Sequence, residues 1–200
     1  REPMRRYIAE VVTRYRSHPG LCQWLLWNEP HGGFKDHVPD NLPGWRAYLR
    51  KAYGDNLAAL NRRWLTGYES FDDVPWPESV PHTAHQAGAW VPYRAELDEM
   101  NWRAERLTDQ LRWIAKEVRR HDRRTELCYN PIFNIENQAA GATDLRGLSR
   151  VVDRMGASYH PVFWHSQVRR EDYPGMIAAG VRALAAQSPG KPIELTEVVS

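Results

Sequence analysis

Apolar residues follow two patterns along this chain, helical spacing and short unbroken runs. Leu21 to Trp27 is such a run, and within it only Gln23 is polar. A strand that is apolar on both faces is typical of a parallel sheet covered by helices. The segment before it is predicted to be a helix that His18-Pro19-Gly20 ends. Its apolar residues at helical spacing are Met4, Ile8, Val11, Val12 and Tyr15.

The same order of helix and strand returns in the second half of the chain. Apolar residues recur at steps of four and three from Met100 to Val118, which predicts a long amphipathic helix ending near Arg124. Further helices are predicted from about Asp144 and over Ile177 to Leu184. Strands separated by helices in this way predict a parallel sheet or barrel. The predicted strands are Leu21 to Trp27, Glu126 to Asn130, Arg154 to Tyr159 and Ile193 to Glu197.

Residues 31–91 interrupt the alternation of helices and strands, since prolines and glycines recur along them. They contain two short helical stretches, one over about Gly44 to Tyr53 and one after Asp55, a suitable N-cap. We interpret residues 31–91 as a long insertion after the first strand, over the face where the strands of a barrel end. Four of the eight strands of a closed barrel are present, so the predicted fold class is α/β, a partial TIM (β/α)8 barrel. Residues 1–200 are expected to be a fragment of that single domain.

Composition and charge narrow the function classes. The 27 basic and 25 acidic residues leave a net charge of +2, too little for the basic field of a nucleic-acid-binding protein. Two cysteines exclude a disulfide framework, and no apolar run is long enough to span a membrane. We expect a cytoplasmic protein, with secretion left open because residue 1 need not be the start of the gene product. Unpaired edges of a half-barrel invite association or disorder, which leaves a homo-oligomer open.

Two carboxylates lie near the ends of predicted strands. Glu29 follows the first apolar run, and Glu197 lies near the end of the last predicted strand. Their sequence separation fits three βα units of about 31 residues each plus the insertion. Two carboxylates on separate strand ends suggest glycosidic bond chemistry. Glu194 is the rival of Glu197, but the two residues point to opposite faces of a strand, and Glu197 lies nearer its end.

With these residues in place, the chain resembles the retaining glycoside hydrolases of clan A. The resemblance rests on Trp27-Asn28-Glu29-Pro30 and Thr196-Glu197. It implies that Glu29 is the acid/base ending the fourth barrel strand and that Glu197 is the nucleophile ending the seventh. Asn28 would then bond the sugar 2-hydroxyl. The implied reaction is double displacement at a β-glycosidic bond.

One segment, Gly44 to Pro77, is similar to glycoside hydrolase family 42, the β-galactosidases, which implies terminal β-galactosides as substrates. Pro30-His31-Gly32-Gly33 departs from that family and is more like family 5. The family's motif of aspartate and tyrosine at the sixth strand corresponds here to Ser158-Tyr159-His160-Pro161. The cysteine cluster that binds zinc in some members of the family is missing. The matching residues within Gly44 to Pro77 are Trp45, Tyr53-Gly54, Leu60-Asn61 and Trp64.

Further residues are expected around the same rim. Tyr159 is predicted to orient Glu197, with Asn130 and His160 beside it, although buried hydrogen bonding would explain Tyr159 and Asn130 equally well. Trp76 and Trp164 are candidates for stacking on sugar rings, and core packing is the commoner role of such residues.

No metal or cofactor is expected. His82 and His85 have a spacing that could ligate a metal, but their context is that of a loop and no second ligand pair supports a site. The expected partner is a carbohydrate substrate. Two alternatives remain open: a family 5-like endo-acting hydrolase of β-glucan or mannan, and an inactive or carbohydrate-binding barrel fragment.

Overall fold

The structure is a computed structural model that places the chain in two compact units. Unit 1 comprises Arg1–Gly32 and Ala104–Ser200, and unit 2 comprises Gly33–Arg103. The expected insertion of residues 31–91 stays a prediction. The described residues are 1–30, 41–76, 94–131, 142–160 and 169–198.

The strands of unit 1 all pair in parallel. Strands β1, β2 and β3 form one sheet in that order, and β4 pairs with β5. A parallel bridge joins Met155 to Ile193 beside them. The strand bounds are Gln23–Asn28 (β1), Glu126–Asn130 (β2), Arg154–Met155 (β3), Ser158–Tyr159 (β4) and Glu197–Val198 (β5).

The third and fourth predicted strands are not continuous, which corrects the sequence-based boundaries. Arg154 to Tyr159 is divided at Gly156 and Ala157, and the last predicted strand contributes only the bridge at Ile193 and β5. The ladder is irregular there because the carbonyl of Ala157 accepts from two successive amides, those of Thr196 at 3.0 Å and Glu197 at 3.4 Å. Gly156 is required at this crowded point, since a Cβ atom would lie 2.6 Å from Thr196 Cγ2.

The predicted helices are confirmed with small shifts of their ends. In unit 1 they surround a core that includes the fully buried Leu111, Leu148 and Leu184. The boundary between the units falls inside α4. The helix bounds are Glu2–Tyr15 (α1), Leu42–Ala52 (α2), Leu57–Trp64 (α3), Arg94–His121 (α4), Leu145–Ser149 (α5) and Tyr173–Gln187 (α6).

Unit 2 is built around aromatic side chains of α2, α3 and the start of α4. Trp45 is fully buried and stacks on Trp64 with ring centroids 6.1 Å apart. The N-cap of α3 is Asn56, whose side chain accepts from the amide of Ala59 at 3.0 Å. The prediction that Asp55 is the N-cap is wrong, because its φ of 56° places Asp55 in the turn that ends α2. None of the helices in the described ranges has the length and apolar content needed to cross a bilayer.

Candidate active site

Three ionisable side chains lie close together at one edge of the strands in unit 1. Glu29 follows β1, and His160 follows β4. Glu197 is the first residue of β5, whereas the sequence predicted it near the end of the last strand. His160 Nε2 lies 3.4 Å from Glu29 Oε1 and 3.5 Å from Glu197 Oε2. One ligand atom from each of the three side chains lies within 4.8 Å of the others. This group, the carboxylate–imidazole cluster, contains both acidic residues predicted from the sequence.

Glu29 is held in an unusual backbone conformation. Its φ of 49° is in the left-handed region, which costs energy for a residue with a side chain and is found often at functional sites. The amide of Glu29 donates to the carbonyl of Asn130 at 2.8 Å, which anchors the turn to β2. Its Oε1 atom is buried and accepts no hydrogen bond from the residues described in the structure. The backbone of Glu29 is therefore anchored, and its buried Oε1 atom faces His160 Nε2.

Glu197 has a more open setting. Its side chain is 44% exposed, against 26% for Glu29. Ser158 Oγ on β4 donates to Glu197 Oε2 at 3.2 Å. The two carboxylates therefore differ in environment, which is the usual basis for different roles in acid–base chemistry.

Below the cluster, Asn130 connects three strands. Its Nδ2 atom donates to Asn28 Oδ1 and to Ser158 Oγ, both at 2.8 Å, and Thr196 Oγ1 donates to its Oδ1 atom. Asn130 is fully buried, whereas Asn28 is exposed. Asn130 therefore orients the exposed Asn28 amide and the Ser158 hydroxyl that contacts Glu197.

The other predicted site residues are placed differently. Tyr159 is 3% exposed, and burial raises the pKa of its hydroxyl. Trp76 packs in the core of unit 2, with its ring 5.1 Å from that of Trp102. Trp164, His82 and His85 lie outside the described residues.

Glu194 belongs to a second polar group, separate from Glu197. Its Oε1 atom accepts from Gln23 Nε2 at 2.6 Å and from Cys128 Sγ at 3.4 Å, and its Oε2 atom lies 3.6 Å from Arg154. Burial raises the pKa of the Cys128 thiol to about 12, and the Glu194 carboxylate adds to the shift. We call Gln23, Cys128, Arg154 and Glu194 the inner polar group. Sequence reasoning did not find this group or the contacts of Ser158 and Thr196, because these contacts form only when separate strands become neighbours.

A parallel α/β fold with acidic side chains gathered at its strand ends is typical of TIM-barrel proteins, whose sites lie at that face. The chain belongs to glycoside hydrolase family 42: the family model, described as Beta-galactosidase, matches residues 1–143.

Individual relatives agree with this assignment. The β-galactosidase Pbg of Clostridium perfringens is 32% identical over 77 residues, covering 36% of this chain and 11% of the relative. The β-galactosidase BglY of Alicyclobacillus acidocaldarius is 33% identical over 85 residues, which cover 41% of this chain and 12% of the relative. The crystal structure of a β-galactosidase from the psychrophilic Marinomonas ef1 aligns with a TM-score of 0.76 and 20% identity, over 98% of this chain and 31% of that one. The matches span less than a third of each relative's own length.

Proposed function

We propose that the protein containing this chain is a retaining glycoside hydrolase that releases terminal β-galactosyl groups, with Glu29 as acid/base and Glu197 as nucleophile. The observation that carries this proposal is the placement of carboxylate oxygens of Glu29 and Glu197 within 4.8 Å of each other. Retaining enzymes hold their two carboxyl groups about 5 to 5.5 Å apart, whereas inverting enzymes leave about 6.5 to 9.5 Å for a water molecule.

The proposed reaction has two steps. Ionised Glu197 attacks the anomeric carbon while protonated Glu29 gives its proton to the leaving oxygen, which forms a glycosyl ester and frees the alcohol. Glu29, now ionised, then takes a proton from water as that water attacks the anomeric carbon and releases Glu197. Asn28 is proposed to bond the sugar 2-hydroxyl, which fits its exposure beside Glu29 and its hydrogen bond to Asn130.

Residues beside the two carboxylates are proposed to have supporting roles. Ser158 orients Glu197 by direct hydrogen bonding, and Asn130 orients Asn28 from below. His160 is proposed to line the sugar site between the two carboxylates. That Tyr159 orients Glu197 stays a prediction, and the Tyr159 side chain is buried. Sugar stacking by Trp76 and Trp164 stays a prediction.

We also propose that β1 to β5 occupy the fourth to seventh strand positions of a (β/α)8 barrel, with β3 and β4 in one position. Strong curvature supports this placement. Gln23 on β1 and Glu194 just before β5 are joined by a 2.6 Å hydrogen bond, although two strand positions separate them. In a flat sheet these positions would lie about 14 Å apart, at about 4.8 Å per strand.

Substitution of each carboxylate tests the proposal in the full protein. Glu29→Gln should lower kcat/KM for an unactivated aryl β-galactoside by about 10²- to 10⁴-fold, the usual contribution of a general acid. Glu197→Gln should nearly abolish turnover because no glycosyl ester forms. Glu194→Gln is the matched control and should stay within about tenfold of the parent, since Glu194 lies in the inner polar group. Full activity in either of the first two variants would overturn the assignment.

The endo-acting alternative makes a different prediction about products. It rests on Asn28-Glu29-Pro30, which is more like family 5. Such an enzyme would cleave internal bonds of β-glucan or mannan and release oligosaccharides with little monosaccharide. Chromatography of the products from both polysaccharides and from an aryl β-galactoside distinguishes the two functions.

A further inference from the structure

The spacing within the carboxylate–imidazole cluster is unusual for hydrogen bonding. His160 Nε2 lies 3.4 Å from Glu29 Oε1 and 3.5 Å from Glu197 Oε2. Charge-assisted N–H···O bonds are typically about 2.7 to 2.9 Å long. Both separations are longer than that, although both are within ion-pair distance.

The same spacing matches the edges of a metal coordination tetrahedron. Zn²⁺ binds histidine nitrogen and carboxylate oxygen at about 2.0 to 2.2 Å, which puts neighbouring ligand atoms about 3.3 to 3.6 Å apart. The two separations from His160 Nε2 fall in this range, and one ligand atom of each residue lies within 4.8 Å of the other two. Three protein ligands with a fourth open position are typical of accessible zinc sites.

The surroundings of the three side chains also suit a cation. Glu29 Oε1 is buried and accepts no hydrogen bond within the described ranges, so a bound ion would compensate its charge. Ser158 Oγ donates to Glu197 Oε2, which is the kind of outer hydrogen bond that orients metal ligands.

We propose that Glu29, His160 and Glu197 form a binding site for Zn²⁺ or a similar divalent transition-metal ion, and that the bound ion inhibits hydrolysis. One nitrogen and two oxygens favour Zn²⁺ or Cu²⁺, whereas Mg²⁺ and Ca²⁺ prefer oxygen ligands alone. Binding is independent of the proposed function; inhibition rests on it. The ion would occupy the electron pairs with which Glu197 attacks and would replace the proton that Glu29 must donate.

Calorimetric titration of Zn²⁺ into the chelator-treated full protein tests binding without any substrate. The parent should bind Zn²⁺ saturably at this site and bind Mg²⁺ far more weakly. His160→Ala and Glu197→Gln should each weaken Zn²⁺ binding by about 100-fold or more, and Ser158→Ala by about tenfold through Glu197. His18→Ala is the matched control, because His18 is an exposed histidine outside the cluster and its loss should change nothing. Circular dichroism and thermal unfolding establish that each variant is folded.

The outcomes separate this proposal from the proposed function. Equal Zn²⁺ binding by the parent, His160→Ala and Glu197→Gln, or no binding at millimolar Zn²⁺, overturns the metal site even if Glu29→Gln has lost its hydrolytic activity. Selective loss of binding in those variants supports the metal site even if β-galactosides are not hydrolysed. Where hydrolysis is present, Zn²⁺ should inhibit the parent and His18→Ala equally, at concentrations that match the calorimetric affinity; full activity of the Zn²⁺-loaded protein overturns the inhibitory role.

Discussion

The two cysteines show how strongly the position of a residue sets its chemistry. Cys22 is exposed just before β1, whereas Cys128 is fully buried in β2 beside Glu194. Thiols react with alkylating reagents as thiolates. Because burial raises the pKa of Cys128 to about 12, only about one Cys128 thiol in ten thousand is ionised at pH 8.

Alkylation of the folded protein should therefore be selective. With iodoacetamide at pH 8, peptide mapping should find Cys22 modified and Cys128 unmodified, and Cys128 should begin to react only as the pH approaches 12. In concentrated guanidinium chloride both residues should react. Equal alkylation rates for the two cysteines in the folded protein would contradict the burial of Cys128 and its raised pKa.

At this scale the sequence predicts the charged members of the site better than the neutral ones. Glu29 stands out because it follows an apolar run and Glu197 because it lies near the end of a predicted strand, and the structure brings the two together. Ser158 and Thr196 are ordinary hydroxyl residues whose contacts arise only when their strands become neighbours. Likewise, nothing in local sequence reveals the left-handed backbone of Glu29.

Among the elements, the helices are predictable and their caps less so. Apolar periodicity locates α1, α4 and α6, since each buries one face against a core. The cap of α3 is harder because Asp55 and Asn56 are adjacent and both suit an N-cap. The structure selects Asn56, since Asp55 is needed in the left-handed turn after α2.

This cap gives a stability prediction. Asn56→Ala should lower the free energy of unfolding of unit 2 by about 1 kcal/mol, because the amide of Ala59 loses its side-chain acceptor. Asn56→Asp is the matched control and should be close to neutral, since aspartate accepts the same hydrogen bond. Urea unfolding followed by tryptophan fluorescence measures both, since Trp64 lies on α3 itself. A loss for Asn56→Asp as large as that for Asn56→Ala would contradict the capping role.

At the scale of the whole molecule, the curvature of the strands in unit 1 is the property that sequence patterns do not predict. Strand order follows from the alternation of helices and strands, but the hydrogen bond between Gln23 and Glu194 requires the first and last strand positions to approach each other. The strand ladder is irregular next to the crowded contact at Gly156. Irregular ladders of this kind commonly increase the bending of a sheet.

A double-mutant cycle measures this approach directly. Gln23→Ala and Glu194→Ala should be coupled by about 1 kcal/mol or more in unfolding free energy, because each substitution removes the same hydrogen bond. Gln23→Ala combined with Asp109→Ala is the control pair and should be additive within about 0.5 kcal/mol, since Asp109 pairs with Arg112 on α4. Additive effects of Gln23→Ala and Glu194→Ala would contradict the hydrogen bond that joins the two strand positions.

The central claim is that Glu197 forms a covalent bond to the sugar while Glu29 supplies and removes protons. Incubation of the full protein with an aryl 2-deoxy-2-fluoro-β-galactoside, followed by peptide mass spectrometry, tests it most directly, because the fluorine slows release of a glycosyl ester. The account predicts one added fluorogalactosyl group, located on Glu197. A label on any other residue, or an unlabelled protein that nevertheless hydrolyses aryl β-galactosides, would contradict it.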